Sequence, residues 1–227
     1  MSDFEDSMAH KHLCASLFEA AKFGNFDKLA VLIEQGADVN WSNDQGFTPL
    51  HVATGNDQPQ VCAMLIDAGA FVNAKDNDGW TPLHLASKNK TPENYILLIE
   101  KGADVDAKDA KGKTPLQWAA EKNNLYGCKR LLIAGATVNA QSKDLSTPLH
   151  AAAAFGSPAV CSLLLDAGGD VGLKNKAKET PLDCAVKLNN PEVSALLNAH
   201  LAMLSIESVL SKPFPQKKTR SRKTATP

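Results

Sequence analysis

The chain has 227 residues, 44% of them hydrophobic, and a formal net charge of −1 at pH 7. This length and composition are enough to bury a sizeable core, and no stretch approaches the roughly 18 consecutive apolar residues of a membrane span. Residues 1–12 carry acidic side chains and no apolar run, so we expect no secretory signal there. The sequence predicts a soluble protein with no membrane partner.

One tripeptide, Thr-Pro-Leu, recurs five times at a constant step of 33 residues. A second mark, Gly-Ala, keeps the same step and becomes Gly-Gly at residue 168. Self-similarity at a fixed period of this size indicates stacked supersecondary units, none of which buries its apolar face alone. The tripeptides begin at Thr48, Thr81, Thr114, Thr147 and Thr180.

Residues 76–108 show what one unit contains. The sequence Asp-Asn-Asp-Gly at its start predicts a turn, because glycine adopts a positive φ without steric cost. Thr81 and Pro82 predict a helix start, since threonine accepts from unpaired backbone N–H groups and proline suits the first helical position. Pro92 opens a second helix with apolar residues at helical spacing, and Gly102 ends it. The unit is turn, helix, loop, helix.

The segments QGFTPLHVA, DGWTPLHLA, KGKTPLQWAA and LSTPLHAAA, together with the GADVN and GATVN segments of the chain, resemble ankyrin repeats. The resemblance covers about six units and implies an all-α solenoid of helix-loop-helix units with β-hairpin-like finger loops. It also implies a concave binding surface and no catalytic activity.

The resemblance places the repeat domain at residues 12–204. The end units depart from the pattern as capping repeats do, and the last helix is predicted to continue from Pro191 to about Leu210. We expect a flexible acidic segment at 1–11, an N-terminal cap at 12–42, internal repeats at 43–75, 76–108, 109–141 and 142–174, a C-terminal cap at 175–204, a helical extension at 205–210 and a disordered basic tail at 211–227.

The tail holds six of the 24 basic residues and none of the 25 acidic ones, so residues 1–210 carry 18 basic and 25 acidic side chains, a net charge of −7. The tail has no apolar period, which predicts disorder. Its basic run resembles a nuclear-import signal; a solvated tail or a weak, salt-sensitive nucleic-acid contact are the alternatives. The run consists of Lys217, Lys218, Arg220, Arg222 and Lys223.

Repeated histidines and cysteines are the first candidates for metal binding or catalysis. His51, His84 and His150 share one repeat position, and side chains a repeat apart cannot share an ion whose ligands lie about 2 Å away. In the ankyrin pattern this histidine ties neighbouring loops together, so we interpret it, with the Thr-Pro-Leu threonines, as structural. Three of the five cysteines share another repeat position, which favours small core residues with free thiols. No phosphate loop, metal-ligand spacing or nucleophile motif is present, so we predict neither cofactor nor enzymatic activity.

Aromatic residues on the finger loops are candidates for partner binding. Phe47 and Trp80 each precede a Thr-Pro-Leu threonine, and large aromatic side chains on solvent-facing loops are typical of binding hot spots. Local packing against neighbouring repeats is the alternative. Trp41, on the loop that leads to Phe47, and Phe155, at the end of a first helix, are further candidates.

For Trp118 we predict a packing role and not a binding role. It occupies the repeat position of Val52, Leu85 and Ala151, so we predict that it is core, buried between the two helix layers.

Charge along the row of finger loops changes from acidic to basic towards the C-terminus. A solvated face is the simpler interpretation, and a contact area for an acidic partner is the functional one. The lysines that we predict to take part in such a contact are Lys111, Lys113, Lys176 and Lys178.

Together these patterns predict a monomeric protein of the cytoplasm or nucleus that binds another protein through its concave face and finger loops. The alternatives are an inhibitor or assembly chaperone of a multi-subunit enzyme, or a nuclear cofactor that uses the basic tail. We expect no small-molecule substrate and no specific nucleic-acid binding. Asn40, Asn73 and Asn139 resemble the asparagines that hydroxylases modify in some ankyrin proteins.

Overall fold

The structure is a computed structural model that describes residues 2–90 and 92–210, with side chains between residues 8 and 207. This part of the chain forms twelve α-helices and no strand. The helices are α1 (Ser2–Lys22), α2 (Phe26–Glu34), α3 (Pro49–Gly55), α4 (Pro59–Asp67), α5 (Pro82–Asn89), α6 (Pro92–Glu100), α7 (Pro115–Glu121), α8 (Leu125–Ile133), α9 (Pro148–Ala154), α10 (Pro158–Asp166), α11 (Pro181–Lys187) and α12 (Pro191–Leu210).

The helices pack as six pairs in two rows, which confirms the predicted all-α solenoid. Each odd-numbered helix contacts the next odd-numbered one, and the even-numbered helices form a second row behind them. Leucines at two repeated positions fill the space between the rows, and each buried leucine stabilises the fold by about 1.5–3 kcal/mol. They are Leu17, Leu50, Leu83, Leu116 and Leu149 in the first row and Leu32, Leu65, Leu98, Leu131, Leu164 and Leu197 in the second.

The short first-row helices begin where the Thr-Pro pair predicts. Thr48 has extended backbone angles, and its hydroxyl accepts from the backbone N–H of His51, while Pro49 takes the first helical position. The same arrangement opens α7, α9 and α11. A threonine cap is worth about 1 kcal/mol, and the proline loses no hydrogen bond there.

The finger loops stack through their backbones. Within one loop, the N–H of Asp76 donates to the carbonyl oxygen of Trp80 at 2.9 Å, as in a hairpin. Between loops, the N–H of Ala110 donates to the carbonyl of Asp78 at 2.7 Å, and each later junction has one equivalent bond. Gly112 is needed at this approach, because it has φ +73° and a Cβ would lie 2.9 Å from the nitrogen of Lys143.

Asparagine side chains make a second link at three junctions. The amide of Asn73 donates to the carbonyl of Gly102 at 3.1 Å, and its oxygen accepts from the N–H of Asp104 at 2.8 Å. Asn40 and Asn139 bond in the same way to the repeats that follow them. The stack is therefore joined at each of these steps by the same polar contacts.

The N-terminus differs from the flexible segment expected at residues 1–11. Helix α1 begins at Ser2 and continues without a break into the first repeat. No proline or glycine lies between residues 2 and 22, so nothing in the local sequence stops the helix from extending ahead of the repeat pattern. At the other end α12 reaches Leu210, and the basic tail with its candidate import signal lies outside the described residues.

Candidate protein-binding groove

Two hollows lie side by side on the face that carries the finger loops and first-row helices, with volumes of about 340 and 380 Å³. They share the side chains of Phe47, Leu85 and Lys88, so they form one surface, which we call the front groove. Its remaining lining residues are Phe18, Lys22, Asn43, Gln45, His51, Val52, Gly55, Asn56, Asp76, Asp78, Trp80, Asn89, Asp109, Ala110, Lys111 and Trp118.

The apolar floor of the front groove consists of two rows, each with the 33-residue step. Phe47 and Trp80 form the row on the finger loops, and Val52, Leu85 and Trp118 form the row on α3, α5 and α7. All except Trp118 are half-buried, so each is fixed by its repeat and still presents a face to the groove. The loop position holds Lys113 in the repeat of Trp118. In the repeat after that, the loop and helix positions hold Ser146 and Ala151, so the large apolar side chains end there.

A pair of tryptophans forms one end of the floor. The ring centroids of Trp80 and Trp118 lie 4.5 Å apart. The indole N–H of Trp118 donates to the carboxylate of Asp109 at 2.9 Å, and the other oxygen of that carboxylate accepts from the backbone N–H groups of Lys111 and Lys113. Asp109 thus shapes its own finger loop and holds the indole ring, which fixes the tryptophan pair before any partner binds.

Trp118 is buried as expected, but its predicted place between the helix layers is wrong. Its ring lies on the front face, against Trp80 and beneath Lys113. The repeat position itself faces the groove, because Val52 and Leu85, one and two steps earlier, also line it. The sequence reasoning missed these three residues together with Lys88. Val52 and Leu85 lie five residues after Phe47 and Trp80, and this constant offset could have predicted that they line the same surface.

The two lysines of the finger loop that precedes α7 have separate surroundings. The ammonium of Lys113 lies 4.5 Å from the ring centroid of Trp118 and pairs with Glu121 at 2.5 Å, so it closes that end of the groove. Lys111 is exposed on the rim. Lys88, one repeat earlier, lies 5.5 Å from the ring centroid of Trp80. Lys88 and Lys111 therefore bring positive charge to the edge of an apolar floor.

The other predicted binding residues lie outside the front groove. Trp41 packs edge-on against Phe18, with 5.8 Å between ring centroids. Phe155 is 59% exposed and lines a smaller hollow of about 160 Å³ between α7, α9 and the finger loops that precede them. Lys176 and Lys178 are exposed on the last finger loop, beyond both hollows.

The repeated histidines connect neighbouring finger loops. Nδ1 of His84 accepts from the backbone N–H of Thr81 at 3.1 Å, and Nε2 lies 3.1 Å from the carbonyl oxygen of Lys113. Since a carbonyl oxygen only accepts, Nε2 carries the proton and the ring is neutral. Burial lowers the pKa of His84, and also that of His51 and His150, which make equivalent bonds. Both ring nitrogens are occupied within the fold.

The cysteine thiols, like the histidines, lie inside the fold. All five cysteines are free and buried. Burial raises the pKa of Cys62 to about 11 and that of Cys128 and Cys161 to about 12, so these thiols stay protonated near neutral pH and are poor nucleophiles. In the part of the chain with described side chains, no group of three or more His, Cys, Asp or Glu residues could hold a metal ion.

Comparisons with known proteins agree with this architecture. A family model described as "Ankyrin repeats (3 copies)" matches residues 17–109, 72–142 and 116–204. The chain is 41% identical over 46 residues to "Ankyrin repeat domain-containing protein oryK" of Aspergillus oryzae, which is 20% of this chain and 7% of that protein. It is 36% identical over 52 residues to "Protein phosphatase 1 regulatory subunit 27" of Homo sapiens and Mus musculus, 23% of this chain and 34% of theirs.

These relatives are matched over well under two thirds of their own length. Among the described residues, no helix is long and apolar enough to cross a membrane. The family model, in contrast, spans most of the chain and coincides with the six helix pairs. The chain therefore belongs to the ankyrin-repeat family.

Proposed function

We propose that this protein binds another protein through the front groove, with Phe47 and Trp80 as the anchoring side chains. The observation that carries the proposal is the half-buried aromatic floor, which is held in place by the fold and still open to a ligand. Tryptophan is enriched among interface residues that dominate binding energy. Because the floor is already ordered, little conformational entropy is lost when a partner binds.

The role that we propose is not catalytic. The histidines are neutral, with Nδ1 bonded to the threonine of the same repeat and Nε2 to the neighbouring finger loop, while the thiols of Cys62, Cys128 and Cys161 are protonated inside the core. Phe155, Lys176 and Lys178 extend the proposed contact area along the same face towards the C-terminus, and Trp41 supports its N-terminal end through Phe18.

A more specific form of this function is regulation of an enzyme by binding one of its subunits. The observation that favours it is the local sequence similarity to a mammalian protein that is named as a regulatory subunit of protein phosphatase 1. It would be supported if the captured partner were an enzyme subunit whose activity changed on addition of this chain. A captured partner with no enzymatic association would contradict it and leave the binding function intact.

Replacing both anchors, Phe47→Ala with Trp80→Ala, should abolish capture of the partner from a lysate of native source. Each hot-spot truncation typically costs 2 kcal/mol or more, so about a thousandfold loss of affinity is expected for the pair. Capture followed by mass spectrometry and titration of the identified partner measures this loss.

The matched control is Phe23→Ala with Phe71→Ala, which removes two phenylalanines that are 71% and 66% exposed and lie outside the front groove. Capture should survive in this control. Both variants must retain the helical circular dichroism of the parent chain. Equal capture by the parent and the anchor variant would contradict the proposal.

A further inference from the structure

We infer that the front groove takes an extended, acidic segment of a partner protein whose apolar side chains recur at every third residue. This inference rests on the proposed function and adds the chemistry of the partner. Three features of the groove support it: the spacing between the apolar side chains of its floor, the sign of its exposed charges and the amides along its rim.

The step comes from the repeat. Val52, Leu85 and Trp118 lie on α3, α5 and α7, which are successive helices of the first row. Packed helices lie about 8–10 Å apart. A segment in the extended polyproline II conformation advances about 3.1 Å per residue with about three residues per turn, so every third side chain lies on the same face and about one step further along. Every third residue of an extended ligand that runs across the repeats would therefore contact one apolar side chain of the floor.

The exposed charges on the rim of the groove favour acidic residues between those anchors. Lys22, Lys88 and Lys111 line the groove, and Asp78 is the exposed acidic side chain among its lining residues within the described part of the chain. Asp76 and Asp109 are buried, and each carboxylate already accepts N–H bonds from its own finger loop.

The position of Lys88 indicates where an acidic ligand residue would bind. Its ammonium lies 5.5 Å from the centre of the Trp80 ring, so a carboxylate next to an anchor on Trp80 lies within reach of it.

The rim can also satisfy the backbone of an extended ligand. Gln45, Asn56 and Asn89 are exposed amide side chains on the groove lining. An extended segment has unpaired N–H and C=O groups, which side-chain amides can bind. Asn56 and Asn89 each donate one N–H to a backbone carbonyl, of Val52 and Gly55, so a second N–H and the oxygen of each side chain face the ligand. The groove therefore fits main chain, apolar anchors and acidic side chains at the same time.

The test is selection of random 12-residue peptides displayed on phage, with the full chain as bait and the Phe47→Ala/Trp80→Ala variant as counter-bait. Enriched peptides should carry apolar residues three positions apart with Asp or Glu between them. The affinity of the best peptide, measured by fluorescence anisotropy, should fall as salt rises. It should also fall about tenfold or more when Lys88→Glu and Lys111→Glu are combined.

The matched control is Lys28→Glu with Lys129→Glu, which makes the same change of charge on exposed positions of the second-row helices α2 and α8. This control should leave the affinity within about twofold, because charges beyond a Debye length of about 10 Å are screened. Enrichment of basic or uncharged peptides, no enrichment, or equal affinity of the Lys88→Glu/Lys111→Glu variant would overturn the inference. If the anchor variant still lost its native partner, the proposed function would stand while the acidic ligand would be rejected.

Discussion

Gly127→Val should lower the free energy of unfolding by about 3 kcal/mol, because the site has no room for a side chain. A Cβ on Gly127 would lie 2.1 Å from the hydroxyl oxygen of Tyr95 and 2.5 Å from the ring carbon that bears it. Tyr95 is fully buried, so its ring cannot move out into solvent. The hydroxyl also lies 3.2 Å from the amide of Asn124, which caps α8.

Gly127 and Tyr95 are matched in size across two neighbouring repeats. Gly127 occupies the position of Val61 and Val160, and Tyr95 occupies the position that holds cysteine in three other repeats. The large side chain in α6 is therefore accommodated by the missing one in α8. The double variant Tyr95→Cys/Gly127→Val restores the residues that the other repeats carry.

The double variant also provides the control for this prediction. Tyr95→Cys alone leaves a cavity and should cost about 3 kcal/mol. When the two changes are combined, the valine fills that space, and Asn124 keeps its bond to the carbonyl of Ser87. Urea unfolding should show that the double variant is at least about 2 kcal/mol more stable than the sum of the single costs. Additive costs would mean that the two sites do not share the space.

Replacing His51, His84 and His150 together by glutamine should remove most of the loss of stability between pH 6.5 and 5.5. The folded state holds these rings neutral, and burial lowers the pKa of each below its usual value near 6.5. The histidines of the unfolded chain bind protons with a pKa near 6.5, whereas those of the folded chain stay neutral at that pH. The full free energy of unfolding is therefore present above about pH 6.5. It falls as the pH drops towards the lowered pKa values, by up to about 1.4 kcal/mol per pH unit for each histidine.

Glutamine is the appropriate replacement because the chain already uses it at this position. The side-chain oxygen of Gln117 accepts from the backbone N–H of Thr114 at 2.9 Å, and its nitrogen donates to the carbonyl of Ser146 at 2.5 Å. The triple variant should therefore fold at pH 7.5, whereas His84→Ala should lose about 2 kcal/mol because it leaves buried groups without a partner. Urea midpoints at pH 7.5, 6.5 and 5.5 measure both effects. An unchanged pH dependence in the triple variant would show that other groups cause the acid sensitivity.

The repeat step was enough to predict the helix pairs, because Thr-Pro starts and glycine stops act within a few residues of themselves. The groove was harder to predict, since it depends on which side of a helix each position faces. Trp118 shows the difference: its burial followed from its repeat position, but its orientation depends on Asp109 and on the neighbouring Trp80. The helix at residues 2–11 was missed because the repeat pattern does not extend there.

The side chains that join the repeats and those that line the front groove are largely different sets. Histidines, asparagines and loop backbone make the joints, while Phe47, Trp80 and Leu85 form the floor. Groove residues can therefore be exchanged over evolutionary time, and a new partner acquired, with little disturbance of the scaffold. Asp109 is an exception, because it shapes a finger loop and holds Trp118. The fourth repeat is thus one place where a change of partner would carry a risk of misfolding.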